Sequence, residues 1–531
     1  MKRSRPLAGL VAAVIAVSSL CTPVAAQAQV RLPALGESVS GDFSVGDEKR
    51  LGEQIMREIR RDPDYLDDPQ LLEYLQTIWQ PLVQAARTRG EITPETESQF
   101  AWESFLVRDR SVNAFALPGG YVGVHLGLIA ITSTRDELAG VLGHELSHVT
   151  QRHIARSMVN ASRQSLVGLA AMILGAIAAS RVGGGADATQ AVIVGGQAAI
   201  AQGQLNFSRD MEREADRVGY GVLSTAGFSP AGMASMFEKL ESASRLNDSG
   251  GYPYLRSHPL TSERIGDARS RASLAGAVKQ SSPLVHALMQ ARARVLMDTR
   301  DVSLRRLQAA EGAAAALPSE RLAALYASAL ASVQLRDWAR ADAAWQRADA
   351  MLRTSPQADA AAERQLQWLK LQSLTARGDG AGALAAAQAL PEDGSRAGLL
   401  LRAQAAIAAT GRGGSNDAAA RAALRESVEA LQTWVSLHRQ DGTAWAQLAQ
   451  SAEGAGLRLR AMRADAEARA AVGDFTGAID RLRAAQRVSR DTAGSGDFID
   501  ASIIDARLRD LQAQRRELAA QMRGGGKEPG P

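Results

Sequence analysis

Apolar residues recur along most of this chain with the period of a helix, and in two places with that of a strand. From Asp47, Leu51, Ile55 and Ile59 share one face of an amphipathic helix, and after Pro69 a second carries Leu71, Leu72, Leu75, Ile78 and Trp79. Phe100 to Val107 alternates in part and predicts a strand. Asn113 to Val124, broken by Pro118-Gly119-Gly120, predicts two short strands joined by a turn. Leu138, Val141 and Leu142 line one face of another helix, with Asp136 and Glu137 near its start, where negative charge complements the helix dipole. Phe207 to Asp216 opens a further helix, which Gly227 is placed to end.

From residue 280 onward the chain turns to Ala, Leu, Arg and Gln, and helical segments come in pairs. Leu322 to Leu335 goes with Trp338 to Leu352, and Leu366 to Ala376 with Gly382 to Ala389. Leu399 to Ala409 and Ala418 to Leu437 follow, and the clearest unit runs from Trp445 to Arg487. It has Gly473-Asp474-Phe475 at a turn and Ala464, Ala468, Ala478 and Ala485 where helices would cross. This resembles tetratricopeptide repeats, whose helix pairs stack into a solenoid with a protein-binding concave face. A generic helical bundle is the alternative.

Length and composition sharpen the picture. At 531 residues the chain is too long for one typical core, and 46% hydrophobic with 4% aromatic residues favours a largely helical protein. Residues 1–28 look like a cleavable secretory signal: Lys2, Arg3 and Arg5, an apolar run from Leu7 to Leu20, and Ala26-Gln27-Ala28 before Gln29. The only cysteine, Cys21, lies within it, so the mature chain would hold no disulfide, and Leu20 before it is too large for a usual lipoprotein site. Losing the signal removes three positive charges from the formal +4 and leaves +1, which gives no electrostatic case for nucleic acid. Leu166 to Ala179 is apolar but short of the roughly 20 residues that cross a bilayer, so no transmembrane span is expected in the mature chain. With Ala191 to Ala201, beyond the break at Gly183-Gly184-Gly185, it reads as a buried hairpin, a lid near the cleft, or a membrane-surface element making peripheral contact. A partly mobile loop or hairpin near the cleft is favoured.

The chemistry lies in His144-Glu145-Leu146-Ser147-His148. On a helix, histidines four apart share a face and reach one ion, while the intervening Glu145 is rotated beside the metal as a base. Two neutral nitrogen ligands with a base aimed at water suit a zinc hydrolase. A third ligand is needed, and the helix opened at Phe207 offers Glu212, Glu214 and Asp216. Glu212 and Asp216 share a face, so one could ligate while the other fixes a histidine ring. On the residues alone Glu214 competes with Glu212.

With these motifs, and with His258-Pro259 followed by Arg264, the chain resembles the gluzincin peptidases of the HtpX and CAAX-prenyl-protease family. It is closest in pattern to periplasmic members with a C-terminal tetratricopeptide domain. The resemblance spans residues 45 to 275 by motif. It implies one zinc ion held by His144, His148 and Glu212, Asp216 behind them, and a substrate-binding strand that borders the cleft after Asn113 (Asn113, Ala114, Phe115). It also places His258 and Arg264 near the metal. His258 then either helps Arg264 stabilise the oxyanion or takes the fourth zinc position and holds the enzyme latent. Relatives of this type can carry cysteines in the repeats, and this mature chain has none.

The expected protein is mainly α with a small β-sheet: a gluzincin-type metallopeptidase domain followed by an α-solenoid of tetratricopeptide-like helix pairs. Its parts are a signal (1–28), an irregular N-terminus (29–46), the peptidase domain (47–278), the repeats (279–520) and a disordered tail (521–531). The expected function is periplasmic zinc-dependent proteolysis with some chaperone capacity. The resemblance implies unfolded or stalled outer-membrane proteins as substrates and their assembly machinery as partner. The rival is a repeat-based chaperone or assembly adaptor with a largely silent zinc site.

Overall fold

The structure is a computed structural model that describes residues 43–160, 208–246, 251–274, 283–312, 317–355, 359–411, 417–491 and 498–524. The expected signal, the apolar segments between 166 and 201 and the last residues of the tail lie outside these. Among the described residues, no helix is long and apolar enough to cross a membrane.

Chain order sets the architecture. Helix α1 (Val45–Ile59) starts from a capping box in which Ser44 and Asp47 satisfy each other's backbone N–H groups. Strand β1 (Tyr65–Leu66) leads to α2 (Pro69–Thr88), capped by Asp68, and to α3 (Pro94–Gln99). Strands β2 (Glu103–Val107), β3 (Ala114–Leu117) and β4 (Tyr121–His125) follow, then α4 (Leu126–Ile131), α5 (Arg135–Thr150) and α6 (His153–Asn160). The sheet is ordered β1-β2-β4-β3; β2 runs parallel to β4, and β3 pairs antiparallel with β4 to form one edge. The turn between β3 and β4 needs Gly119 and Gly120, whose φ angles of +77° and +88° side chains rarely adopt.

Helices α7 (Arg209–Thr225), α8 (Ala231–Leu246), α9 (Pro253–Ser257) and α10 (Ser262–Leu274) complete the first half. The second half is a stack of paired helices. It comprises α11 (Pro283–Leu296), α12 (Asp301–Ala309), α13 (Pro318–Gln334), α14 (Trp338–Arg353), α15 (Ala360–Ala376) and α16 (Gly380–Ala389). Then come α17 (Arg396–Thr410), α18 (Ala418–Leu437), α19 (Gly442–Gly454), α20 (Arg458–Ala471), α21 (Phe475–Asp491) and α22 (Phe498–Gly524). The fold is therefore mostly helical, with a small open sheet and a tetratricopeptide-like solenoid.

The two halves share a core. One hydrophobic cluster takes in Leu142 of α5, Leu288 of α11, Leu330 of α13 and Leu369 of α15. Ionic ties converge on the start of α2. Arg292, 2% exposed, grips both oxygens of Asp68 at 2.7 and 2.6 Å. Arg396 holds Asp67 at 2.7 and 2.6 Å and Asp441 at 2.7 and 2.8 Å. Arg364 links Glu73 to Asp393. Farther along, Arg61 of the first half donates to the carbonyls of Val472 and Gly473 at the Gly-Asp-Phe turn.

Candidate metal centre

Helix α5 is buried on every side from Glu137 to Val149, so its small amphipathic signal is that of a central helix. Thr134 caps it by accepting from Glu137 N at 3.1 Å. Helix α7 crosses it at the closest possible approach: a Cβ on Gly219 would lie 3.0 Å from Gly143 O and 3.2 Å from His144 N. Glycine on both helices thus sets the distance from the histidines to the carboxylates of α7. His144, Glu145 and His148 are all fully buried.

Four side chains converge: His144, His148, Glu212 and His258 offer ligand atoms all within 4.8 Å of one another. His144 Nε2 lies 3.0 Å from His148 Nε2 and 3.4 Å from His258 Nδ1. Glu212 lies 2.9 Å from His258 Nδ1, 3.4 Å from His148 Nε2 and 3.5 Å from His144 Nε2. Glu145 stands beside the cluster, with Oε1 3.5 Å from His258 Nε2. Glu145 has only the Tyr254 hydroxyl and the His258 ring for polar company, and burial pushes its carboxyl up from the ordinary value.

The outer nitrogens decide which face each imidazole turns inward. His144 Nδ1 lies 2.9 Å from Asp216 Oδ1, and Arg264 holds both Asp216 oxygens at 2.6 and 2.8 Å. His148 Nδ1 lies 2.9 Å from His153 Nδ1, whose other nitrogen meets Glu214 Oε2 at 3.1 Å; Arg156 donates to that same oxygen at 2.8 Å. A carboxylate only accepts, so Glu214 requires the proton of a neutral His153 on Nε2. His153 Nδ1 is then an acceptor, and His148 must carry its proton on Nδ1. Assigned by this network, both metal-facing Nε2 atoms hold lone pairs.

Those nitrogens stand 3.0 Å apart, a contact that either a shared proton or a metal cation between them must relieve. Ligands about 2.0–2.1 Å from a tetrahedral zinc stand about 3.3–3.4 Å apart, close to the spacings here. Charge agrees. Burial disfavours a protonated His144, yet the hydrogen bonds and charges of Asp216 and Glu212 outweigh it and push His144 up to about 10, so the site calls for positive charge. Glu212 is held below its ordinary value despite burial, because His258 and the two helix histidines surround it. The cluster fits one zinc ion.

Other expected site residues fall into two groups. Arg264, 4% exposed, also donates to Pro259 O at 2.9 Å and lies 2.7 Å from Glu212. Ala114 packs into the main core, toward α5. Phe115 instead turns to the opposite face against Phe105 and His125, and Asn113 is 8% exposed with Oδ1 unpartnered. The segment that carries His258 hangs on this edge: Val112 donates to Gly251 O at 3.0 Å and accepts from Tyr254 N at 3.4 Å.

His153 and Tyr254 have no counterpart among the sequence-based expectations, and Glu214 enters them only as the competitor of Glu212 for the metal. Four of the chain's seven histidines, His153 among them, gather here, and that concentration was the available signal. Tyr254 is fully buried with its hydroxyl toward Glu145 and its ring 4.7 Å from that of His258.

Residues 69–272 match the sequence model of peptidase family M48. The chain is 35% identical over 269 residues to the beta-barrel assembly-enhancing protease of Escherichia coli, covering 50% of this chain and 52% of that one. It is 36% identical over 249 residues to the protein of that name from Yersinia pestis, covering 46% and 48%. It is 30% identical over 196 residues to the mitochondrial metalloendopeptidase OMA1 of Saccharomyces cerevisiae, covering 36% and 53%. The chain thus spans about half the length of these curated relatives.

Proposed function

We propose that this chain, whose residues 69–272 form a peptidase domain of family M48 around a zinc site, is a zinc-dependent endopeptidase acting on outer-membrane β-barrel proteins that fail to assemble. The observation that carries the peptidase reading is the buried cluster of His144, His148 and Glu212 with the buried carboxylate of Glu145 beside it. The substrate class rests on the relatives named for beta-barrel assembly. Export to the periplasm rests on those names and on the signal-like residues 1–28, and the assembly machinery is the partner in this reading.

His144 Nε2, His148 Nε2 and a Glu212 oxygen would hold the zinc, whose chemistry when bound is to polarise a carbonyl and acidify water. Glu145 takes the proton of the attacking water and returns it to the leaving amine. Asp216 and Arg264 fix His144, while His153 and Glu214 fix His148. A substrate peptide adds to the edge of β3 through its backbone, with Asn113 and Ala114 at the near end and Phe115 supporting from the far face. The position of His258, with Nδ1 3.4 Å from His144 Nε2 and 2.9 Å from Glu212, supports the latent reading, in which it would be a further zinc ligand and keep the substrate out. Its segment hangs on Val112 by two backbone bonds, next to the edge where substrate would bind, so binding there and release of His258 are linked.

The test is digestion of an unfolded β-barrel protein by wild type, Glu145→Gln and His258→Ala, with zinc measured in each. Cleavage that rises in His258→Ala and vanishes in Glu145→Gln, with zinc retained, supports the reading. Full zinc and no cleavage in any of the three would sink it and favour the repeat-based adaptor. The complete burial of His258 and Glu145 is what keeps that second reading in view.

A further inference from the structure

Away from the zinc site, a cavity of 780 Å³ lies between the two halves. The first half contributes Arg57 of α1 and Tyr121 of β4; the second contributes Arg439 just past α18, Trp445 of α19, Arg463 of α20 and Phe475 of α21. Its volume is that of a site for a small ligand or a short stretch of peptide.

Five arginines and four carboxylates, Glu53, Glu103, Glu467 and Asp510, line it, an excess of one positive charge. Arg60 is engaged by Glu103 at 2.8 Å, and Arg507 by Glu467 at 2.8 Å and by Asp510. Glu53 and Glu58 act on Arg57 from beyond ion-pair distance among the described residues, and Arg439 is exposed at the mouth with no carboxylate at that distance. Arg463 is 7% exposed; it donates to Gln432 at 2.6 Å, its carboxylate is Asp500 at 3.7 Å, and its Nε has no partner. Burial pushes both Arg57 and Arg463 below the ordinary arginine value. Keeping desolvated cations short of counter-charge costs free energy that a bound anion would return.

The anion's type follows from the walls. A guanidinium fork matches carboxylate oxygens, and Trp445, Phe475 and Tyr121 offer apolar faces beside it. We propose that this cavity is a binding site for a carboxylate of an extended polypeptide, with Arg57, Arg439 and Arg463 taking the carboxylate and Trp445 and Phe475 the adjoining apolar side chain. It would hold part of a substrate or partner protein against both halves at once. The site shares no residue with the zinc cluster, so it stands or falls independently of the peptidase reading.

The test uses the full chain carrying Glu145→Gln, which prevents cleavage, and short fluorescein-labelled peptides of glutamate and phenylalanine followed by anisotropy. The expected result is saturable binding that weakens about tenfold in Arg57→Gln and again in Arg439→Gln, since each removes a charge-assisted hydrogen bond. Arg463→Gln should weaken binding as well, with the melting temperature recorded beside it because the change also releases Gln432 and Asp500. A peptide amidated at its C-terminus assigns the carboxylate to the chain end if it fails to bind, and to glutamate side chains if it binds as well. Binding that is equal in wild type and the Arg57→Gln/Arg439→Gln pair overturns the proposal. So does a better fit to phosphatidylglycerol vesicles than to any peptide.

Discussion

The relay Glu214–His153–His148 makes a quantitative statement about zinc affinity. In His153→Ala the buried Nδ1–H of His148 loses its acceptor, or its proton moves to Nε2, the atom that must face the metal. Either way the zinc-bound state carries a cost that the zinc-free state avoids, because there the ring is free to choose its tautomer. Loss of an outer partner of this kind weakens metal binding 10- to 100-fold, about 1.4–2.7 kcal/mol. Asparagine restores the acceptor, since its Oδ1 sits where His153 Nδ1 was, so His153→Asn should bind zinc several-fold more tightly than His153→Ala. Glu214→Gln should be mild: Arg156 only donates, so it selects the amide oxygen for the place that His153 also contacts. The assay is competition for zinc against a chromogenic chelator, with melting of the zinc-free variants as a control for packing at this fully buried position. His144→Ala, which removes a ligand, calibrates complete loss. Equal zinc affinity in wild type and His153→Ala, or equal loss in the alanine and asparagine variants, would refute the tautomer argument.

Three further outcomes follow from the geometry. Gly219→Ala places a methyl 3.0 Å from Gly143 O, so α7 must retreat from α5; we expect reduced zinc content and about 1–3 kcal/mol of lost stability, read by metal analysis and denaturant melts. Arg396→Ala leaves Asp67 and Asp441 without their shared cation and should cost about 3 kcal/mol and expose the junction of the halves to limited proteolysis. Burial lowers His125 to about 4 against 6.5 in the unfolded chain, so the unfolded state binds the extra proton first. Its contribution, about 3 kcal/mol, is present above pH 6.5 and lost as pH falls toward 4; His125→Gln should flatten the stability curve across that window in chemical denaturation.

Much of the site could be read before the fold. The spacing of His144, Glu145 and His148 carries its own geometry, because a helix fixes which side chains share a face. Glu212 was separable from Glu214 only through family resemblance, since both lie on one helix and the choice depends on how α7 crosses α5 at Gly143 and Gly219. His153 was passed over for a related reason: an imidazole that binds a ligand's outer nitrogen leaves no periodic trace. In the sheet, the two strands around Pro118-Gly119-Gly120 were legible from the turn, but which face Phe115 takes depends on where α1 packs. The shared core of α5, α11, α13 and α15 was hidden because apolar periodicity tells a helix that it must bury a face and says nothing about its distant partner.

The ties at the start of α2 bear on the order in which the molecule is made. Asp68 waits for Arg292, Asp67 for Arg396 and Arg61 for Val472, separations of 224, 329 and 411 residues. A chain that emerges N-terminus first presents the zinc helix and its sheet long before the helices that seal them. Contacts of such span are slow to close, and apolar surface stays open meanwhile. Assembly of this chain would therefore finish only when its own late repeats arrive, so the metal centre would mature late on the folding path.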